Sequence, residues 1–173
     1  MQTLVVHLLN HLMSPKGIIV HSMAEYLKMP EGPMKAHDFL KSVKLSVHGF
    51  IHPDGTYEKM IESPNKAAHA GASKWGGYEM LNSHFLGFEL LVPGEHDFGT
   101  FSKAIETPGT YTEEQFQTAL ATCKWWMKEY NIPADNVVRH SDCSGDDVRG
   151  KGQGKTDPGS AFDWERFKKE LVS

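Results

Sequence analysis

Two cysteines in 173 residues, Cys123 and Cys143, exclude a disulfide-stapled scaffold and suit a reducing compartment. A basic excess is also missing. Eighteen Lys and Arg stand against 22 Asp and Glu, a formal charge of −4, so no basic patch argues for nucleic acid. No run approaches the roughly 18 apolar residues of a membrane span. The opening stretch "MQTLVVHLLNHLMSPK" lacks a basic n-region and a small-residue cleavage site, and His7, Asn10 and His11 break its apolar run. Synthesis in the cytoplasm without a signal peptide is therefore expected. Internal repeats, low-complexity tracts and interdomain linkers are absent, as is the His-Glu-x-x-His motif of zinc peptidases.

What is present is an ordinary globular composition, 39% apolar and 23% charged, with ten histidines. The length suits one domain over residues 1–173, large enough to bury a core without staples. "GIIVHS" (17–22) and "FLGFELLV" (85–92) are apolar, β-branched or aromatic runs that predict buried strands. "NVVRHS" predicts a third, leading to His140. "KLSVHGFIHPDGTYEKMI" alternates on both sides of Pro53-Asp54-Gly55, the chemistry of a hairpin turn.

Helical spacing predicts one helix in "PMKAHDFLKSV" and a longer one in "YTEEQFQTALATCKWWMKEYNIP". In the latter, Thr112 and Gln115 form a capping box, Tyr111 and Phe116 have the spacing of a hydrophobic staple, and Pro133 marks the end. Its predicted apolar stripe is Phe116, Ala119, Leu120, Cys123, Met127 and Tyr130. A last helix starts near Asp163 with Trp164, Phe167 and Leu171 on one side. Alternating strands and helices predict an α/β fold, a central mixed sheet flanked by helices.

Each predicted apolar strand delivers one polar side chain: His21, Glu89 and His140. Such a group in a buried strand is costly unless paired or ligated. The glycine-rich stretch "RHSDCSGDDVRGKGQGKTDPGSAFDW" adds Lys155 and Asp157. A lone strand histidine is more often a hydrogen-bonded core residue. Two histidines with a carboxylate, however, are a common catalytic zinc set that leaves a fourth position for water. On an extended Lys-Thr-Asp segment, Lys155 and Asp157 share a side.

The ordered set "IIVHS", "LSVHGFIHPDGT", "AAHAGASKW", "NSHFLGFEL", "VVRHSD" and "KTDPGSAFDWERF" resembles the zinc-dependent N-acetylmuramoyl-L-alanine amidases of type 2. That family includes peptidoglycan-recycling amidases, phage endolysins and peptidoglycan recognition proteins, and the resemblance spans about 17–171. It implies His21, His140 and Asp157 as zinc ligands and Glu89 as the acid that polarises the attacking water. Lys155 would stabilise the tetrahedral intermediate. His69 and Trp75 would line the substrate groove, and Asn82 fills a polar position that either meets substrate or holds a loop.

Two departures stand out. Val47 occupies a position where many lytic members carry tyrosine, so the mechanism leans on Glu89. The interval from His140 to Asp157 is longer than in compact relatives, and its glycines predict a flexible loop. Cys143, three residues after His140, is an alternative third ligand, but the family position belongs to Asp157. Cys123 is expected in the core, and His48 in a structural role.

The expected activity is zinc-dependent hydrolysis of the amide between N-acetylmuramic acid and L-alanine, by a monomer acting on peptidoglycan as a wall-lytic endolysin. A cytoplasmic muropeptide-recycling amidase and a non-catalytic peptidoglycan-binding module of the same fold are the alternatives.

Overall fold

The computed structural model describes residues 12–173. His7, His11 and the opening apolar run lie outside the described residues. Its elements are β1 (Gly17–Leu27), β2 (Met34–Lys35), α1 (Ala36–Ser42), β3 (Gly49–Ile51), β4 (Tyr57–Lys59), β5 (Lys74–Trp75), β6 (Tyr78–Glu79), β7 (Phe85–His96), α2 (Phe98–Ala104), α3 (Glu113–Tyr130), β8 (Val137–Arg139), α4 (His140–Cys143), α5 (Asp146–Arg149) and α6 (Trp164–Leu171). A six-stranded mixed sheet runs β2-β1-β7-β3-β4, with β8 also paired to β1. Strands β8, β1, β7 and β3 are mutually parallel, while β2 and β4 add antiparallel edges. Both main strands outrun their sequence predictions, so His21 lies inside β1 rather than at its end.

Side-chain alternation divides this sheet. One face carries Ile18, Val20, Leu86, Phe88, Leu90 and Val137 against Phe116, Ala119, Leu120 and Cys123 of α3 and Phe167 and Leu171 of α6. The other face holds two separate apolar clusters. Ile19, Phe85 and Val138 pack with Ala70, Leu81 and Cys143 near the start of the strands. Phe50 and Leu91 pack with Ala36, Leu40 and Val47 near their ends. Parallel register sets His21 opposite Glu89, and Val20 opposite Arg139, the residue before His140. The three polar residues therefore form one belt across β8, β1 and β7, between the two clusters.

Helix α3 anchors the scaffold. The Thr112–Gln115 capping box is present, and Tyr111 and Phe116 both meet Phe162. The helix ends at Tyr130, two residues before the expected stop, on Asn131 in the left-handed conformation. Trp126, absent from the predicted stripe, is buried while Met127 and Tyr130 are only partly covered.

Gln115 does more than cap. Buried completely, it accepts from the Thr112 N–H at 3.1 Å and donates to the carbonyls of Ile51 at 3.0 Å and Leu91 at 2.9 Å. It thereby ties the helix start to β3 and β7. Gln115→Ala removes the reciprocal half of the capping box and the donor to two interior carbonyls, and should lower unfolding free energy by about 2–3 kcal/mol in urea titrations. A change below about 0.5 kcal/mol would mean the sheet ends hold without it.

Candidate metal centre

The site is built where the polar belt meets the segment after α5. His21, His140 and Asp157 are buried, and a ligand atom from each lies within 4.8 Å of the others. The rings of His21 and His140 meet edge to face, centroids 4.3 Å apart. His140 Nδ1 is 3.1 Å from both Asp157 oxygens, and His21 Nδ1 is 3.6 Å from Oδ2. The Ser22 N–H also donates to Asp157 Oδ2, at 3.3 Å.

Hydrogen bonds set which imidazole nitrogens carry protons. His69 Nε2 faces the Phe85 carbonyl at 3.0 Å, an acceptor only, so this nitrogen donates. His69 Nδ1 is then an acceptor, and His21 Nε2–H donates to it at 2.8 Å. The lone pair of His21 is left on Nδ1, aimed at Asp157. His140 has acceptors at both nitrogens, the Ala70 carbonyl 3.4 Å from Nε2 and the Asp157 carboxylate 3.1 Å from Nδ1, so a proton on Nε2 frees Nδ1 for a cation and one on Nδ1 pairs it with the carboxylate. Two imidazole Nδ1 atoms and a carboxylate converging on one point are a donor set for a cation, and the type and number suit zinc with a position to spare.

Electrostatics agree. Burial, with the nearby His140, lowers the pKa of His21 to about 4, which keeps its ring neutral and its lone pair available. Burial alone would push Asp157 up, but the adjacent imidazoles of His140 and His21 outweigh it and hold the carboxyl well below the usual carboxylate range.

Glu89 lies beside this set, across from His21 in the register. Its Oε2 is buried without a hydrogen-bond partner. Burial, then the charge of Asp157, raises its pKa well above the ordinary value, while Lys155 works in the opposite direction. Lys155 is itself exposed, held by its backbone N–H on the Ser144 carbonyl at 2.9 Å, and its charge reaches both Glu89 and His21.

The "HAGAS" segment packs against the centre. His69 is hydrogen-bonded to His21, and it fits there because residue 87 is glycine. A Cβ on Gly87 would come within 2.6 Å of His69 Nδ1. Asn82 holds the segment, its Oδ1 accepting from the N–H groups of His69 at 2.9 Å and Ala70 at 2.7 Å. Trp75, half-buried, packs against the cluster at the start of the strands and donates its indole N–H to the Asp135 carbonyl at 3.2 Å. His48 is buried, donating to the Asn65 carbonyl at 2.9 Å and accepting from the Gly87 N–H at 3.1 Å. Val47 is fully buried in the cluster near the strand ends, with Phe50 and Leu91.

Cys143 turns away from the centre. Its thiol is buried among Ile19, Phe85 and Val138, and burial pushes its pKa up to about 12. A divalent-ion titration of two variants should separate the candidates: Asp157→Ala loses high-affinity binding, and Cys143→Ser binds as the parent does. Loss of the ion in the serine variant alone would reassign the third ligand.

Comparison with known proteins agrees with this architecture. The family model for N-acetylmuramoyl-L-alanine amidase matches residues 11–160. The chain is 32% identical over 137 residues to the 1,6-anhydro-N-acetylmuramyl-L-alanine amidase AmpD of Escherichia coli K12, covering 78% of this chain and 64% of that one. Identity to the Enterobacter cloacae protein of the same name is 33% over 141 residues, 80% of this chain and 65% of that one. The match thus spans somewhat less than two thirds of these relatives' length. Among solved structures, a selenomethionine AmpD derivative superposes with a TM-score of 0.63 at 25% identity, covering 90% of this chain and 84% of that one. Escherichia coli AmiD in complex with anhydro-N-acetylmuramic acid-L-Ala-D-γ-Glu-L-Lys shares the fold, with a TM-score of 0.61 at 21% identity and coverage of 92% and 58%. On the family match and these identities, the chain is a member of the N-acetylmuramoyl-L-alanine amidase family.

Proposed function

We propose that this protein is a zinc-dependent amidase that cleaves the bond between N-acetylmuramic acid and L-alanine in soluble anhydro-muropeptides. The observation that carries the reading is the convergence of the His21 and His140 rings on the Asp157 carboxylate, beside the unpartnered Oε2 of Glu89. The endolysin expectation gives way to the recycling alternative. The curated relatives reported above are named for 1,6-anhydromuramyl substrates. The endolysin from Clostridium intestinale matches at 23% identity and TM-score 0.61, which speaks for the fold alone.

His21, His140 and Asp157 would hold the zinc, with His69 and the Ala70 carbonyl fixing the two rings. When bound there, zinc supplies a Lewis acid for the amide carbonyl and lowers the pKa of water towards about 7. Glu89 would accept the proton of the attacking water and return it to the leaving amine. Its raised basicity suits a group that must hold that proton between the two steps. The Lys155 ammonium would face the negative charge that develops on the carbonyl oxygen.

Chelation should abolish cleavage of anhydromuramyl-L-alanine peptides and added zinc should restore it. Full activity in a preparation shown metal-free by elemental analysis would refute the metalloenzyme reading. Glu89→Gln should keep the fold and zinc yet lose about a hundred- to ten-thousand-fold in rate. A parental rate in that variant would move the base elsewhere. Lys155→Ala should lower turnover more than zinc content. The choice of role turns on substrate, with faster turnover expected on soluble anhydro-muropeptides than on intact sacculi. The reverse preference would restore the wall-lytic reading.

A further inference from the structure

The stretch between His140 and Asp157 carries charges that the proposed chemistry does not use. The Asp146 carboxylate accepts from the N–H groups of Gly152 at 3.0 Å and Gly154 at 2.8 Å. Asp147 pairs with Lys74 at 3.0 Å. Both acids are thereby engaged within the scaffold, Asp146 by backbone donors and Asp147 by a cation. Arg149 is held without being neutralised. Its Nε donates to the Gln153 carbonyl at 3.1 Å and its Nη1 to the Ala72 carbonyl at 3.4 Å. Among the described residues, the arginines in ion pairs are Arg139 and Arg166. A guanidinium offers about five N–H donors in a fixed fork, so most of this one remains available.

Its location matters as much as its charge. Arg149 Nη1 lies 3.1 Å from where a Cβ on Gly71 would stand, and Gly71 has φ +59°, a conformation that favours glycine. Gly71 follows Ala70, whose carbonyl accepts from His140 Nε2 at 3.4 Å. The guanidinium therefore rests on the same short wall that orients the metal-site histidines. Lys151 and Lys155, both exposed on the same stretch, add to the positive potential.

We propose that Arg149 is a specificity-determining residue that binds a carboxylate of the stem peptide, the free α-carboxylate of a γ-linked glutamate. The inference rests on the amidase reading above. A γ-linked glutamate spends its side-chain carboxyl on the peptide bond and keeps its α-carboxylate ionised. The ligand of the AmiD complex, L-Ala-D-γ-Glu-L-Lys attached to anhydro-N-acetylmuramic acid, has this residue second after the scissile amide. A rigid arginine, held by backbone carbonyls, meets a carboxylate through two parallel hydrogen bonds without first being ordered.

The test uses the zinc-loaded full chain and two substrates that differ at one group. These are anhydromuramyl-L-Ala-D-γ-Glu peptide and its α-amide, the isoglutamine form. The wild type should favour the acid by about tenfold or more in kcat/KM, the range expected for a hydrogen bond to a charged group. In Arg149→Gln the ratio should fall to about one, in Arg149→Lys to an intermediate value, and in Arg149→Glu it should invert. Zinc content and the urea midpoint of each variant report whether the loop has stayed folded. A wild-type ratio near one, or equal losses on both substrates in all three variants, would overturn the proposal. Failure of the wild type to cleave either substrate would instead remove the amidase reading on which it rests.

Discussion

A single directional chain, Phe85 carbonyl to His69 to His21, decides what the centre can bind. Imidazole has one proton for two nitrogens at neutral pH, and a backbone carbonyl accepts but never donates. Fixing the far end of the chain therefore fixes the tautomer two rings away, and puts the His21 lone pair on Nδ1. A rotated His69 would leave His21 free to protonate either nitrogen. Much of the nearby structure serves that orientation. Gly87 clears space above the sheet, and Asn82 grips the two N–H groups that carry His69 and Ala70. Ala70 in turn offers its carbonyl to His140.

The sheet supplies the other half of the arrangement. A polar belt inside an apolar layer costs free energy wherever its members lack partners. Here the belt crosses only one face, between two clusters that close over it from either end, while the opposite face is continuous apolar packing on α3 and α6. The stable face can carry the strain of the working one. Asp157 is then brought in from outside the sheet by a separate grip. Tyr111 donates to the Pro158 carbonyl at 2.7 Å, and the Ser141 N–H to the Asp157 carbonyl at 3.1 Å. The Ala161 N–H meets the Ile105 carbonyl at 2.8 Å. Gly159 fits there because a Cβ would come within 2.2 Å of the Ile105 carbonyl oxygen.

Much of this was legible in the order of residues. The apolar runs around His21 and Glu89 are strands, the Thr112–Gln115 box opens the long helix, and the Pro53-Asp54-Gly55 turn joins an antiparallel pair. These are local signals, carried by alternation, capping chemistry and turn residues. The convergence of His21, His140 and Asp157 was readable through resemblance, since no local pattern links positions so far apart. The direction of His69 and Trp75 was not readable. Both choices depend on what stands across the fold, a glycine in β7 for one and a loop carbonyl for the other. The β5–β6 hairpin and helix α2 likewise lack the long periodic runs that announce an element. Trp126 escaped the predicted stripe because a helix face is set by its neighbours as well as by its own spacing.

The glycine-rich stretch before Asp157 shows how composition can mislead about order. Glycine costs entropy and loosens a chain when nothing demands its special conformations. Here the demands are present: Gly150 and Gly152 take φ of +98° and +74°, and Gly154 approaches the Asp146 backbone too closely for a Cβ. The bare N–H groups of Gly152 and Gly154 then reach one carboxylate together. Asp146 thus does for the stretch what a bound anion does for a nest of amides, gathering the turn around a negative charge. With Arg149 bonded to the Gln153 carbonyl and Asp147 to Lys74, the flexible tether expected from its glycines is a folded flap closed on the wall beside His140. Its folded side chains, Arg149 among them, add a surface to the rim of the centre.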